Sequence, residues 1–319
     1  MSLPLSPPLK PELALSRKTL PEGDDYVYEV KLDGFRCIAF VDGGEVFLQS
    51  RNGKTLGRYF PELKFPPGRY VLDGEIVVRD AARREDFDAI SQRIHPAVSR
   101  IERLSVETPA VYVAFDLLAR EDDSWLERPF AERRAGLEGL LGDTRFRAAP
   151  IELMTSVDTV EAAEYWLREA EGAIAKERSA PYLPGQRKGM VKVKRTRTID
   201  AVVVGWRPGK EAGTVGALIL GLYEGDELRV VGHCSGLTAK DKRDLVGSLA
   251  PYETGERGSA DPSRWSAGRD LEWVALRPEL VVEIDFDHVS AGRIRHGAKL
   301  RRWREDKRAR ECTIDQLAS

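Results

Sequence analysis

The run YEVKLDGFR (Tyr28–Arg36) governs how the rest of the chain is read. Its first residues alternate as a strand does, Lys31 closes that strand, Asp33–Gly34 has turn chemistry, and Arg36 enters the next strand. By itself a lysine beside a D-G turn fits a solvated hairpin as well as a reactive site. The text on either side has to decide.

Outward from this run the chain is rich in strand signals. YVYEVK and CIAFV run apolar or alternate, EVFLQS follows the DGG turn at Asp42–Gly44, and YVLDGEIVV ends at Val78. VYVAFDLLA (Val111–Ala119) reads as a further buried strand. Pro129 opens a predicted helix with Leu137, Leu140 and Leu141 inward. Asp158 and Glu161 form an expected capping box for a second helix, carrying Val160, Ala163, Leu167 and Ala170 at helical spacing. GAIAKE and MVKVKR return to strands, and the Pro-rich residues 1–24 predict an extended arm.

After KVKRTRTID the composition changes to short strands between Gly-rich turns: AVVVGW, ALILGLY and LRVVGHC, a helix around Ala239–Leu249, then LVVEIDFDHV. Five short strands with one interposed helix predict a small barrel of the OB type. The acidic stretch ETGERGSADPS (Glu253–Ser263) predicts a surface loop. The expected domains are therefore residues 1–198 and 199–319, with the junction near Arg197–Ile199.

Composition bounds the function. A length of 319 residues suits two domains, at roughly 100–200 residues each. The 42% hydrophobic content can build a core, and 32% charged residues with a net charge of −2 argue against a mono-charged disordered tail. No apolar run approaches the roughly 20 residues of a membrane span, and the N-terminus lacks a signal-peptide pattern. Three dispersed cysteines without a C-x-x-C pair and four scattered histidines offer neither a disulfide framework nor a zinc site. A reduced, cytoplasmic protein, working as a monomer, is expected.

Further motifs follow the lysine in order: SRNGK (Ser50–Lys54), DGEIV (Asp73–Val77), FDLL (Phe115–Leu118), EGAIAK (Glu171–Lys176), MVKVK (Met190–Lys194) and RRWREDK (Arg301–Lys307). A lysine amine can attack phosphorus and carry the group as a phosphoramidate, once cationic neighbours help it shed its proton. Lys192 and Lys194, two apart on a strand, share a face. Acidic side chains are the donors a hard divalent cation needs near phosphates, and a carboxylate accepts from the amine of adenine but opposes the O6 of guanine. From Arg293 to Arg310, nine basic side chains stand against two acidic ones, and a second basic cluster spans Arg187–Arg197.

Taken together, these motifs resemble the covalent nucleotidyltransferases, and most closely the ATP-dependent DNA ligases of the small bacterial ligase C type. The resemblance runs from about Tyr26 to Lys307. It implies an α+β fold, with an antiparallel-sheet adenylation domain followed by an OB-fold domain. It implies Lys31 as nucleophile, and Lys192 and Lys194 at the α-phosphate. Glu29 would accept from the adenine amine, Phe115 would stack on the base, and Arg36 and Arg51 would reach the sugar and phosphates. Glu75 and Glu171 would serve the metal, with Glu75 also on the ribose side, and Arg304 and Lys307 would orient pyrophosphate. ATP and Mg²⁺, with Mn²⁺ as an alternative, are the implied cofactors, and nicked duplex DNA the implied substrate. A Ku-like end binder or a repair polymerase is an implied partner. The resemblance also implies that the barrel rotates near Arg197–Ile199 between steps. An RNA ligase or guanylyltransferase would share the K-x-D-G chemistry but is disfavoured by the FDLL text and by Glu29. A non-catalytic nick-binding module is disfavoured by the intact set of demanding residues.

Overall fold

A computed structural model describes residues 2–259, 272–290, 292–295 and 297–318. The chain divides into two compact units, Met1–Arg195 and Thr196–Ser319. Each is described by itself.

In the first unit the order is β1 (Leu15–Ser16), β2 (Tyr26–Val30), β3 (Phe35–Gly43), β4 (Glu45–Ser50), β5 (Gly68–Val78), α1 (Phe87–Gln92) and α2 (Val98–Glu107). Then come β6 (Ala110–Arg120), β7 (Asp123–Ser124), α3 (Phe130–Leu141), β8 (Ile151–Leu153), β9 (Ser156–Val157), α4 (Val160–Glu169), β10 (Gly172–Glu177) and β11 (Met190–Lys194). Two sheets result. One has the order β1-β11-β10-β2-β9, the other β4-β3-β5-β6-β7 with β8 beside β6.

The strands on either side of Lys31 do not form a hairpin. Strand β2 pairs with β10 and β9, while β3 pairs with β4 and β5. Lys31–Gly34 is thus the crossing from one sheet to the other. Gly34 is required at this crossing, because a Cβ there would lie 2.2 Å from the Ile76 carbonyl oxygen of β5.

Helix α3 buries Phe130, Leu137 and Leu140, with Leu141 half-buried. It also buries Arg133, which alternation of apolar residues does not reveal. The cap of α4 differs from expectation. Thr159 is the N-cap, its hydroxyl accepting from the Ala162 amide at 3.3 Å. Asp158 lies one residue too early and pairs with Arg178 at 2.6 Å instead. The short helices α1 and α2 were not anticipated; Asp86 caps the first of them.

The N-terminal arm is extended, as expected, and pinned throughout. Leu3, Leu5 and Leu9 pack against a cluster containing Ile38, Phe40, Val71 and Tyr182. The Gln49 side chain clamps Leu9, accepting from its amide at 2.9 Å and donating to its carbonyl at 2.6 Å. Farther along, the Leu13 amide donates to the Gln186 carbonyl, and β1 runs parallel to β11.

The second unit comprises β12 (Arg197–Pro208), β13 (Val215–Glu224), β14 (Glu227–Gly236), α5 (Ala239–Leu249), β15 (Glu253–Ser259) and β16 (Glu272–Leu276). It continues with β17 (Val281–Phe286), β18 (Val289–Ser290), β19 (Arg293–Ile294) and β20 (Ala298–Trp303). Pairings close a ring, β12-β13-β14-β20-β17 and back to β12, in which only β14 and β20 run parallel. With α5 between the third and fourth ring strands, this is the OB topology. Thr238 and Asp241 cap α5 reciprocally. The loop expected over Glu253–Ser263 needs correction: Glu253–Ser259 pairs with β16 as a strand, and residues 260–263 lie outside the described residues. No described helix is long and apolar enough to cross a membrane.

Candidate active site

A cleft of about 220 Å³ opens in the first unit between its two sheets and the arm. The arm contributes Pro11, Glu12, Leu13 and Ala14. The β2 sheet supplies Ile174, Lys176, Met190 and Lys192, and the β5 sheet supplies Arg36, Glu75 and Phe115. Lys31 enters from the crossing, its amide donating to the Gly172 carbonyl at 2.9 Å. That carbonyl is set by a φ of +130°, and a Cβ on Gly172 would lie 2.1 Å from the Val193 carbonyl oxygen. Only glycine fits, which explains why it follows Glu171.

Of the residues expected from sequence, Lys31, Arg36, Arg51, Glu75, Phe115 and Lys192 line this cleft together. The Lys192 ammonium is held below the usual lysine range, first by burial and then by Lys194, Lys31, Arg51 and Arg187. Glu75 is pushed up to about 7 by burial, against the pull of Arg36 and Lys31. Arg36 is fixed from behind: Nε and Nη2 donate to Asp73 at 2.7 and 2.6 Å, and its guanidinium lies 4.4 Å from the Phe115 ring centroid. Tyr182 donates to the same carboxylate at 2.6 Å and accepts from the Glu12 amide at 2.9 Å.

Glu29 lies elsewhere than expected. It is not a lining residue but sits 1% exposed behind the wall, with Oε2 2.8 Å from the Lys176 ammonium. A carboxylate so deep needs a counter-charge, and Lys176 supplies it. Burial still pushes the Glu29 carboxyl up. Lys194 pairs across from Gly172 and Glu171 precedes that glycine, and neither lines the cleft. In the second unit, Arg304 and Lys307 both donate to Asp200, at 2.8 and 2.7 Å, and Arg304 also to Asp306. The C-terminal basic run is thus partly neutralised in place: Arg302 pairs with Glu283 and Arg310 with Asp226.

Sequence reasoning missed Glu12, Lys176, Asp33 and Asp73. Lys176 stood inside a quoted motif, two residues beyond Ile174 and so on its face of the strand, which was the available signal. Asp33 was taken only as a turn residue. Its carboxylate oxygen and that of Glu171 lie within 4.8 Å of one another. Two converging carboxylates fit the oxygen-donor set of a hard divalent cation.

The family model described as ATP dependent DNA ligase domain matches residues 11–194, and the one described as ATP dependent DNA ligase C terminal region matches residues 211–307. The chain belongs to the ATP-dependent DNA ligases. It is 45% identical to DNA ligase C1 of Mycolicibacterium smegmatis, covering 99% of this chain and 96% of that one. It is 40% identical to DNA ligase C of Mycobacterium tuberculosis, with the same coverage. A solved ligase domain of M. tuberculosis LigD is 28% identical, with a TM-score of 0.54, covering 96% of this chain and 98% of its own.

One property of this ligase follows from Glu12. Its carboxyl is pushed up to about 7, first by burial and then by Asp116, against the Leu183 backbone, Arg133 and Lys176. A raised acid holds its proton more tightly folded than unfolded. Its stabilising contribution is complete below the unfolded value of 4.5 and lost as pH rises through about 7. Glu12→Gln should therefore lose less thermal stability than wild type between about pH 5 and about pH 8. Identical melting profiles would refute this.

Proposed function

We propose that this ligase seals nicks in duplex DNA through a lysyl-AMP intermediate on Lys31. The observation that carries the reading is the placement of Lys31 at the sheet crossing, opening into one cleft with Glu75, Arg36, Phe115 and Lys192. The Lys31 amine attacks the α-phosphorus of ATP, forming an N–P bond as the bond to pyrophosphate breaks. A 5′-phosphate oxygen at the nick then takes the AMP, breaking the N–P bond and freeing the lysine. The adjacent 3′-hydroxyl finally attacks that 5′-phosphate, joining the strand and releasing AMP.

Lys192 and Arg51 meet charge on the phosphates, which a preorganised cation stabilises better than water. Phe115 packs against the base and Arg36, held by Asp73, against the sugar. Asp33 and Glu171, with Glu75 nearby, would hold Mg²⁺, which when bound supplies charge neutralisation at the phosphates. Arg304 and Lys307, preset by Asp200, would act on pyrophosphate. Use in DNA repair, with a Ku-like end binder or repair polymerase as partner, rests on likeness to the LigD of Pseudomonas aeruginosa, named a non-homologous end joining protein and 32% identical to this chain. Failure of purified Ku to stimulate end joining by the chain would remove that partner.

Intact-mass spectrometry after incubation with ATP and magnesium tests the central claim. An AMP adduct mapped to Lys31, absent with GTP, is the expected result. An adduct on another lysine would overturn the assignment.

A further inference from the structure

The cleft has a cationic end and an apolar end. Lys31, Arg51, Arg187 and Lys192 gather at the first, where phosphates belong, while Val30, Phe115, Met154 and Ile174 wall the second. Among the described lining residues only two are acids, Glu75 and Glu12. Glu75 interacts with Lys31 and Arg36; Glu12 interacts with Lys176, which reaches the Phe115 carbonyl and the faces of Phe115 and Phe130. Glu12 therefore belongs to the base end.

Its side chain is 2% exposed, and its Oε1 has no hydrogen-bond partner. Leaving such an acceptor unsatisfied costs about 1–3 kcal/mol, a cost that a ligand's donor would remove. The arm holds the residue still, with the Glu12 amide on Tyr182 and the Glu12 carbonyl 3.4 Å from Arg36 Nη2. Beside it, Lys176 has three protons to donate, two of which are directed at Glu29 and the Phe115 carbonyl. Glu29 also has a bare Oε1, but it lies behind the wall, with Arg134 3.6 Å away.

We propose that Glu12 selects adenine, its Oε1 accepting from the exocyclic amine while Lys176 donates to a ring nitrogen. Guanine presents the reverse pattern, an acceptor oxygen toward Glu12 and a ring N–H toward the ammonium. This inference rests on the ATP-dependent reading of the cleft and assigns its base specificity to a residue of the arm.

The test compares self-adenylylation with ATP and with purine riboside 5′-triphosphate, which lacks the amine, in wild type, Glu12→Met and Glu12→Gln. Glu12→Met should raise KM for ATP about tenfold, with kcat little changed and KM for the analogue near wild type. Preference for ATP then collapses. Glu12→Gln keeps an acceptor oxygen and should retain most of that preference. Equal losses for both nucleotides would mean that Glu12 merely supports the arm, and would overturn the proposal. Collapse of the preference in Glu29→Gln but not in Glu12→Met would overturn it too. A wild-type enzyme that takes up neither nucleotide would sink the ATP reading itself, and is recognised before any variant is made.

Discussion

Lys31→Ala will lose self-adenylylation altogether, and sealing of an ordinary nick will fall by on the order of 10³-fold or more, the scale seen when a covalent nucleophile is removed. No neighbour can substitute. Lys192 lines the same cleft but is fixed on a different strand, with Gly172 setting only the Lys31 backbone. Sealing of a nick that already carries AMP should fall far less, because joining the strand makes no bond to lysine. Measuring both substrates with one enzyme preparation separates lost chemistry from lost folding. If ordinary nicks were sealed at the wild-type rate, the catalytic role of Lys31 would be untenable.

Arg133→Met will produce the largest loss of stability. Arg133 and Asp116 are 2% and 1% exposed and joined by two hydrogen bonds of 2.7 and 3.0 Å. The same guanidinium also donates to the Arg128 and Ala180 carbonyls. Removing it strands a buried carboxylate, a change that costs about 3–5 kcal/mol. For a unit of this size that corresponds to a fall in Tm of roughly 6–20 °C. Adding Asp116→Asn should recover part of the loss, because the stranded charge disappears. A Tm within about 2 °C of wild type for Arg133→Met would contradict this account.

Much of this could be read from the residues. The strand signals, the ring of five short strands with α5 and the order of motifs all sit where spacing and resemblance put them. What escaped was the partnering of charges across sequence. Glu29 and Lys31 share a strand face on paper, yet burial forces Glu29 onto Lys176, 147 positions along. The D-G pair looks like a hairpin turn locally, and only the pairing of β2 with β10 makes it a crossing between sheets. Thr159 outcompeted Asp158 as a cap because one residue of offset decides which oxygen reaches the amide. The run from Arg293 to Arg310 looks like a bare cationic face until Asp200, Asp226 and Glu283 arrive from distant strands. Periodicity encodes which face a residue takes, not which distant charge waits there.

The stretch from Leu9 to Ala14 resembles a dispensable leader, yet it furnishes a wall of the nucleotide pocket and the carbonyl beside Arg36. A protease that clipped it, or a tag-removal step cutting a few residues too deep, would disable the enzyme while sparing every one of its nucleotidyl-transfer motifs.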